Sequence, residues 1–224
     1  MFNLVFKDLL MNIRDLKYLI QSVLGIFIYL LVLQFFGATA IYIIGPFLFA
    51  NIYIISGCGF GEKDEVDIMF NSLPVNRKNV VFSKYLSTLI FIIMGLVITI
   101  VFSSIFKLSG FSHINRFINL RDIIIYYVCI VVYSAIYLPV YMWLGYLKSQ
   151  LFNNALNLCM ALCLLLIVIL DTLIENGTAK ESIMNFASLP NLQLYMVTSS
   201  ICFSTVLIFI SIVISLKIYT NRDL

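Results

Sequence analysis

No charged residue interrupts "YLIQSVLGIFIYLLVLQFFGATAIYIIGPFLFANIYIISGCGFG", Tyr18 to Gly61, a run of 44 positions. A helix needs about 20 apolar residues to cross a bilayer, so this run is too long for one span and fits two. The turn between them is expected at Phe35–Thr39. The 224 residues are 62% hydrophobic and only 11% charged, too apolar for a water-soluble fold of this length. The sequence therefore predicts an all-α membrane protein.

Charged residues mark the limits of the remaining apolar runs. The six predicted spans cover about residues 18–36, 39–61, 85–106, 123–147, 149–170 and 192–216. No internal repeat and no flexible linker divides the chain, so a single transmembrane domain over residues 1–224 is expected.

The distribution of Lys and Arg predicts the orientation. With six spans both termini lie on one side of the membrane, and that side holds ten of the 14 basic residues. Basic residues accumulate in cytoplasmic loops. Both termini and residues 62–76 are therefore predicted to lie in the cytoplasm, and residues 171–191 outside.

Several classes of function are disfavoured by what the spans lack. Their cores contain no Asp, Glu, Lys, Arg or His, which argues against ion-coupled transporters and cation channels. The single histidine, His113, falls in a predicted outer loop, so an intramembrane Ser–His or metal site is disfavoured. No G-x-x-x-x-G-K-[ST] motif occurs, so the chain is not expected to bind ATP by a P-loop. We assign it no catalytic residue, metal, cofactor or nucleic-acid partner.

Charge is concentrated in "EKDEVDIMFNSLPVNRKNVVFSKYL", Glu62 to Leu86. Acidic residues precede an apolar cluster, and acids in a first turn favour helix initiation. Pro74 ends this short helix, because the residue before a proline leaves the α region. Asn76 is a suitable N-cap for a second helix that enters the membrane. Apolar side chains beside so many charges indicate a docking surface for a soluble protein; a solvated loop is the alternative.

The same segment resembles the signature of type-two ABC permeases. The matching positions are Glu65, Met69, Ser72, Leu73, Pro74, Val75, Arg77, Val80, Val81, Lys84 and Tyr85. The resemblance implies a cytoplasmic coupling helix between spans two and three, within residues 62–76, that fits a groove on a separate ATPase. The docking residues it implies are Glu65, Asp67, Ile68, Met69, Phe70, Ser72, Leu73, Pro74 and Arg77.

The resemblance also implies an interfacial helix before the first span. Apolar residues recur at helical spacing over residues 1–17, with polar residues on the other side, and this pattern favours the same conclusion. A simple cytoplasmic extension of the first span is the alternative. Larger members of the family carry a helical pair where this chain has only residues 171–191.

The function implied is one half of an exporter in a bacterial cell membrane. Two permease chains, identical or different, would sit on two ATPase subunits that bind ATP and Mg. The cargo would be apolar or amphipathic, and the small permeases that export phenol-soluble modulins look most similar. A membrane protein that works without an ATPase, in substrate capture, as a channel or in assembly or immunity, is the alternative. The candidate cavity residues are Tyr133, Tyr137, Tyr141 and Asn51, for which packing or interhelical hydrogen bonding is the alternative role.

Overall fold

The computed structural model describes residues 4–7, 24–25, 28–33, 37–63, 77–108, 117–175 and 190–221. Within these ranges the regular structure is entirely helical, as the sequence predicts. The long helices are α1 (Ala38–Lys63), α2 (Arg77–Leu108), α3 (Leu120–Leu144), α4 (Tyr146–Glu175) and α5 (Pro190–Asn221). All five are long and apolar enough to cross a membrane.

The first predicted span, residues 18–36, falls largely outside the described residues, although residues 28–33 are helical. Of the predicted interfacial helix, residues 1–17, only the helical residues 4–7 are described. The structure thus gives five candidate spans, and the sixth span and the interfacial helix stay predictions.

The boundary between the fourth and fifth spans needs a correction. α3 ends at Leu144 rather than at residue 147, and α4 begins at Tyr146 rather than at residue 149. Gly145 causes the break, because its φ of 77° is a conformation that side chains with a Cβ rarely adopt. Its N–H still donates to the carbonyl of Tyr141, 2.9 Å away. The charge of Lys148 suggested a later boundary, but the backbone turns at the glycine.

α1 is the most enclosed helix of the bundle. It packs mainly against α2 and also contacts α3 and α4, while α3 packs mainly against α5. α4 and α5 expose long rows of leucine, isoleucine, valine and phenylalanine side chains. Lipid tails are as apolar as these side chains, so such surfaces suit a bilayer.

Candidate functional site

The predicted docking residues fall almost entirely outside the described part of the chain. Residues 64–76 hold all of them except Arg77, which is the first residue of α2. The structure does describe the two flanks of the segment, namely the last turns of α1 and the first turns of α2. The docking role of these residues stays a prediction.

Three helices contact the end of α1 that leads into this segment. Lys84 of α2 donates from Nζ to the carbonyl of Gly57, at 2.9 Å. Tyr141 of α3 donates from Oη to the carbonyl of Cys58, at 3.3 Å. A Cβ on Gly59 would lie 2.6 Å from the Tyr146 ring of α4, so this ring packs directly on the α1 backbone. The start of α2 and the α3–α4 break therefore lie at the same end of the bundle.

A cleft of about 700 Å³ lies between α1, α4 and the helical residues 28–33. Its lining residues are Tyr29, Ile44, Phe47, Leu48, Asn51, Ile52, Ile55, Gln150, Asn153, Asn154, Asn157, Leu158, Ala161, Leu164 and Leu165. α1 contributes one polar side chain to this wall, and α4 contributes four. None of these side chains is charged, so the cleft is a neutral surface that mixes hydrocarbon with hydrogen-bonding groups.

A chain of side-chain hydrogen bonds crosses the polar part of the cleft. Asn51 donates from Nδ2 to Oδ1 of Asn157, at 2.6 Å. Asn157 donates in turn to Oδ1 of Asn153, at 3.4 Å, and the same oxygen accepts from Oη of Tyr133, at 2.6 Å. These hydrogen bonds join α1, α4 and α3 at the wall of the cleft. Gln150 and Asn154 line the same wall and are exposed.

The cleft changes from polar to apolar along its length. Gly59 faces Tyr146 and Asn51 bonds to Asn157, so α1 and α4 run antiparallel. The carboxamides of α4 therefore lie toward the end with the charged segment. Toward the other end the wall is formed by apolar side chains such as Phe47 and Leu164.

The structure separates the four residues that the sequence suggested for a cavity. Asn51 lines the cleft. Tyr133, Tyr137 and Tyr141 do not line it; they are buried and stack in a row, with centroid distances of 5.6 and 6.4 Å. Phe47 of the wall packs edge-on against Tyr133, at 5.9 Å. This arrangement matches the packing alternative for the tyrosines, and contact of any of the four with a substrate stays a prediction.

Sequence reasoning missed the polar face of α4. Gln150, Asn153, Asn154 and Asn157 follow the spacing i, i+3, i+4 and i+7, which places them on one side of a helix. This spacing is visible in the sequence, but the prediction considered Asn51 and not the carboxamides of this span. In the described ranges, no group of three His, Cys, Asp or Glu side chains could hold a metal ion.

A family model described as "ABC-2 family transporter protein" matches residues 3–220. The match covers α1 to α4, all of α5 except its last residue, the charged segment and the cleft. No curated protein and no solved structure matches the chain.

Proposed function

Because the chain belongs to the ABC-2 transporter family, we propose that it is the membrane-spanning subunit of an ATP-driven exporter. It would pair with a second permease and two separate ATP-binding subunits. The observation that carries this proposal is the family match over residues 3–220, almost the whole chain. The resemblance drawn from the charged segment is confirmed at the level of the family, and the likeness to phenol-soluble modulin exporters stays a prediction.

Residues 62–76 are the proposed contact with the ATPase, which would hold ATP and Mg. The structure supports this role through the flanks of the segment. Lys84 near the start of α2 bonds to Gly57 near the end of α1, so a push on the segment would act on two helices at once. The Lys and Arg distribution supports a cytoplasmic position for this end and for both termini.

The cleft between α1 and α4 is the proposed site for cargo. It offers uncharged hydrogen-bonding groups at one end and hydrocarbon at the other, which fits an amphipathic molecule better than an ion. Amphipathic peptides are the first class to test. ATP hydrolysis in the partner would supply the energy, so the spans would need no ionisable group of their own.

Co-purification tests the ATPase contact. The tagged chain is expressed with the genes beside it, extracted in mild detergent and purified, and bound ATPase is detected by photo-crosslinking to labelled ATP. We expect ATPase to co-purify with the wild type and to be lost with Leu73→Asp, because a carboxylate would enter an apolar docking groove.

The matched control is Leu108→Asp, which changes an exposed leucine at the opposite end of α2. This variant should keep the ATPase. Equal ATPase recovery from Leu73→Asp and the wild type would contradict the proposed contact. A wild-type chain that brings down no ATPase would favour a protein that works alone.

A further inference from the structure

Tyr85 joins α2 to α5 through a buried hydroxyl. Its Oη lies 2.5 Å from Oγ of Ser211 and 2.8 Å from Oγ of Ser215, and these two serines are one turn apart on α5. All three side chains are buried. Ser211 also donates to the carbonyl of Ala135 on α3, at 2.8 Å. One short cluster therefore connects three helices.

Counting protons fixes the direction of these bonds. A hydroxyl has one proton to donate. Ser211 gives its proton to Ala135, so in its bond with Tyr85 it must accept. Tyr85 has then used its own proton, so Ser215 must donate to Tyr85. Ser215 therefore donates to Tyr85, Tyr85 donates to Ser211, and Ser211 donates to the carbonyl of Ala135. Loss of any of the three hydroxyls interrupts this series of hydrogen bonds.

The carbonyl of Ala135, which accepts the last of these hydrogen bonds, lies four residues before a proline. Pro139 lies within α3, four residues after Ala135. A proline has no N–H, so the carbonyl four residues before it lacks its usual helical donor. The hydroxyl of Ser211 supplies the missing donor. The cluster thus reaches α3 at the point where its hydrogen-bond ladder is interrupted, which is where a helix bends most easily.

α3 leads from this point to the cleft. Tyr133, two residues before Ala135, donates to Asn153 in the cleft wall at 2.6 Å. At the other end of the path, Tyr85 lies eight residues into α2, the helix that follows the charged segment. Lys84 beside it bonds to α1. The described contacts therefore form a continuous route from the start of α2 to the carboxamides of α4.

We propose that the hydroxyl of Tyr85 is the link through which movement of α2 reaches the cleft, by way of Ser211 and the interrupted turn of α3 at Pro139. The inference rests on the proposed function, since the ATPase would cause the movement. Tyr85 does not line the cleft, so in this proposal it is a positioning residue that acts through Ser211.

The experiment follows the cleft while ATP is added. A chain whose five cysteines are replaced by alanine receives one cysteine at Leu158, an exposed residue of the cleft wall. A bimane fluorophore on this cysteine reports the cleft through quenching by iodide. The labelled chain is reconstituted with its ATPase in nanodiscs, and quenching is compared with and without ATP and vanadate.

Two variants should lose the ATP-dependent change in quenching while they still bind the ATPase. Tyr85→Phe keeps the ring but cannot bridge the two serines. Pro139→Ala gives Ala135 back a helical N–H and so makes Ser211 dispensable. A purely structural role for these groups predicts no loss in Pro139→Ala, because it removes an interruption from a helix. The matched control is Tyr126→Phe, which also removes one buried tyrosine hydroxyl bond between α2 and α3, to the carbonyl of Ile92.

Each result decides the question. Loss of the change in Tyr85→Phe and Pro139→Ala, with a normal change in Tyr126→Phe, supports the link. A normal change in either variant overturns it, as does an equal loss in Tyr126→Phe, which would indicate general loosening. If Tyr85→Phe does not fold, Pro139→Ala decides alone. If the parent chain binds the ATPase but shows no ATP-dependent change, the link is overturned and the proposed function stands. If the parent chain binds no ATPase, both are refuted.

Discussion

The interface of α3 with α5 and the interface of α1 with α4 use polar residues in opposite ways. On α5 the serines at 204, 211 and 215 share one buried face, where each small hydroxyl finds an acceptor and the helices pack closely. On α4 the polar residues are carboxamides, and a cleft of about 700 Å³ lies beside them.

The difference lies in the size and the hydrogen-bonding capacity of the side chain. A serine hydroxyl can bond to its own helix, as Ser204 does to the carbonyl of Ile201 at 2.8 Å, and it then needs nothing from a neighbour. A carboxamide has two donors and an acceptor oxygen, and it stands further from the backbone. Small hydroxyls therefore let helices approach closely, while carboxamides hold partners at a distance.

Overpacking the buried serine face of α5 should give the largest effect. Ser204→Phe puts an aromatic ring on the fully buried face of α5. We expect a loss of about 3 kcal/mol in the free energy of unfolding, the upper part of the usual cost of overpacking. Unfolding of the purified chain in mixed micelles with SDS measures it. Thr205→Phe, at the exposed neighbouring position, is the control and should change little; equal losses in the two would show that the serine face is not tightly packed.

Removing the central carboxamide of the cleft should give an intermediate effect. Asn153→Leu takes away the oxygen that accepts from both Tyr133 and Asn157. Interhelical hydrogen bonds in membrane proteins contribute modestly, so we expect a loss of about 1.5 kcal/mol for the pair. The same SDS unfolding assay measures it.

A double-mutant cycle adds two further variants, Tyr133→Phe alone and Tyr133→Phe combined with Asn153→Leu. The double variant removes the buried hydroxyl together with its acceptor, so part of the stability lost in Asn153→Leu should return. A double variant that is less stable by the sum of the two single losses would show that the hydroxyl and the carboxamide do not depend on each other.

The sequence predicted the helices better than it predicted the contacts between them. The second span predicted from the uncharged run before Gly61 is found as α1, because apolar length depends only on composition. The end of α3 was missed because a backbone break at Gly145 leaves no trace in a charge pattern. Tyr133 was proposed as a cavity wall, yet it is buried behind the wall, where its ring packs against Phe47 and its hydroxyl donates to Asn153. Which side of a helix faces which neighbour depends on how the helices pack, and the order of residues along the chain does not specify that packing.

The smallest effect on stability is expected at an exposed residue of the cleft. Asn154 lines the cleft and is exposed, so Asn154→Leu should change the free energy of unfolding by less than about 0.5 kcal/mol. Its effect should instead be on transport. Leucine would remove a hydrogen-bonding group from the polar end of the cleft, so ATP-dependent uptake of a fluorescent amphipathic peptide into inverted vesicles should fall.

Thr205→Leu is the matched control, since it also replaces an exposed polar residue of a long helix but lies outside the cleft. If Asn154→Leu lowered stability as much as Asn153→Leu, the carboxamides would be structural contacts like the serines of α5. If both leucine variants transported the peptide as the wild type does, Asn154 would have no part in handling it. If Asn154→Leu alone reduced uptake, with unchanged stability, the α1–α4 interface would differ from the α3–α5 interface in function as well as in packing.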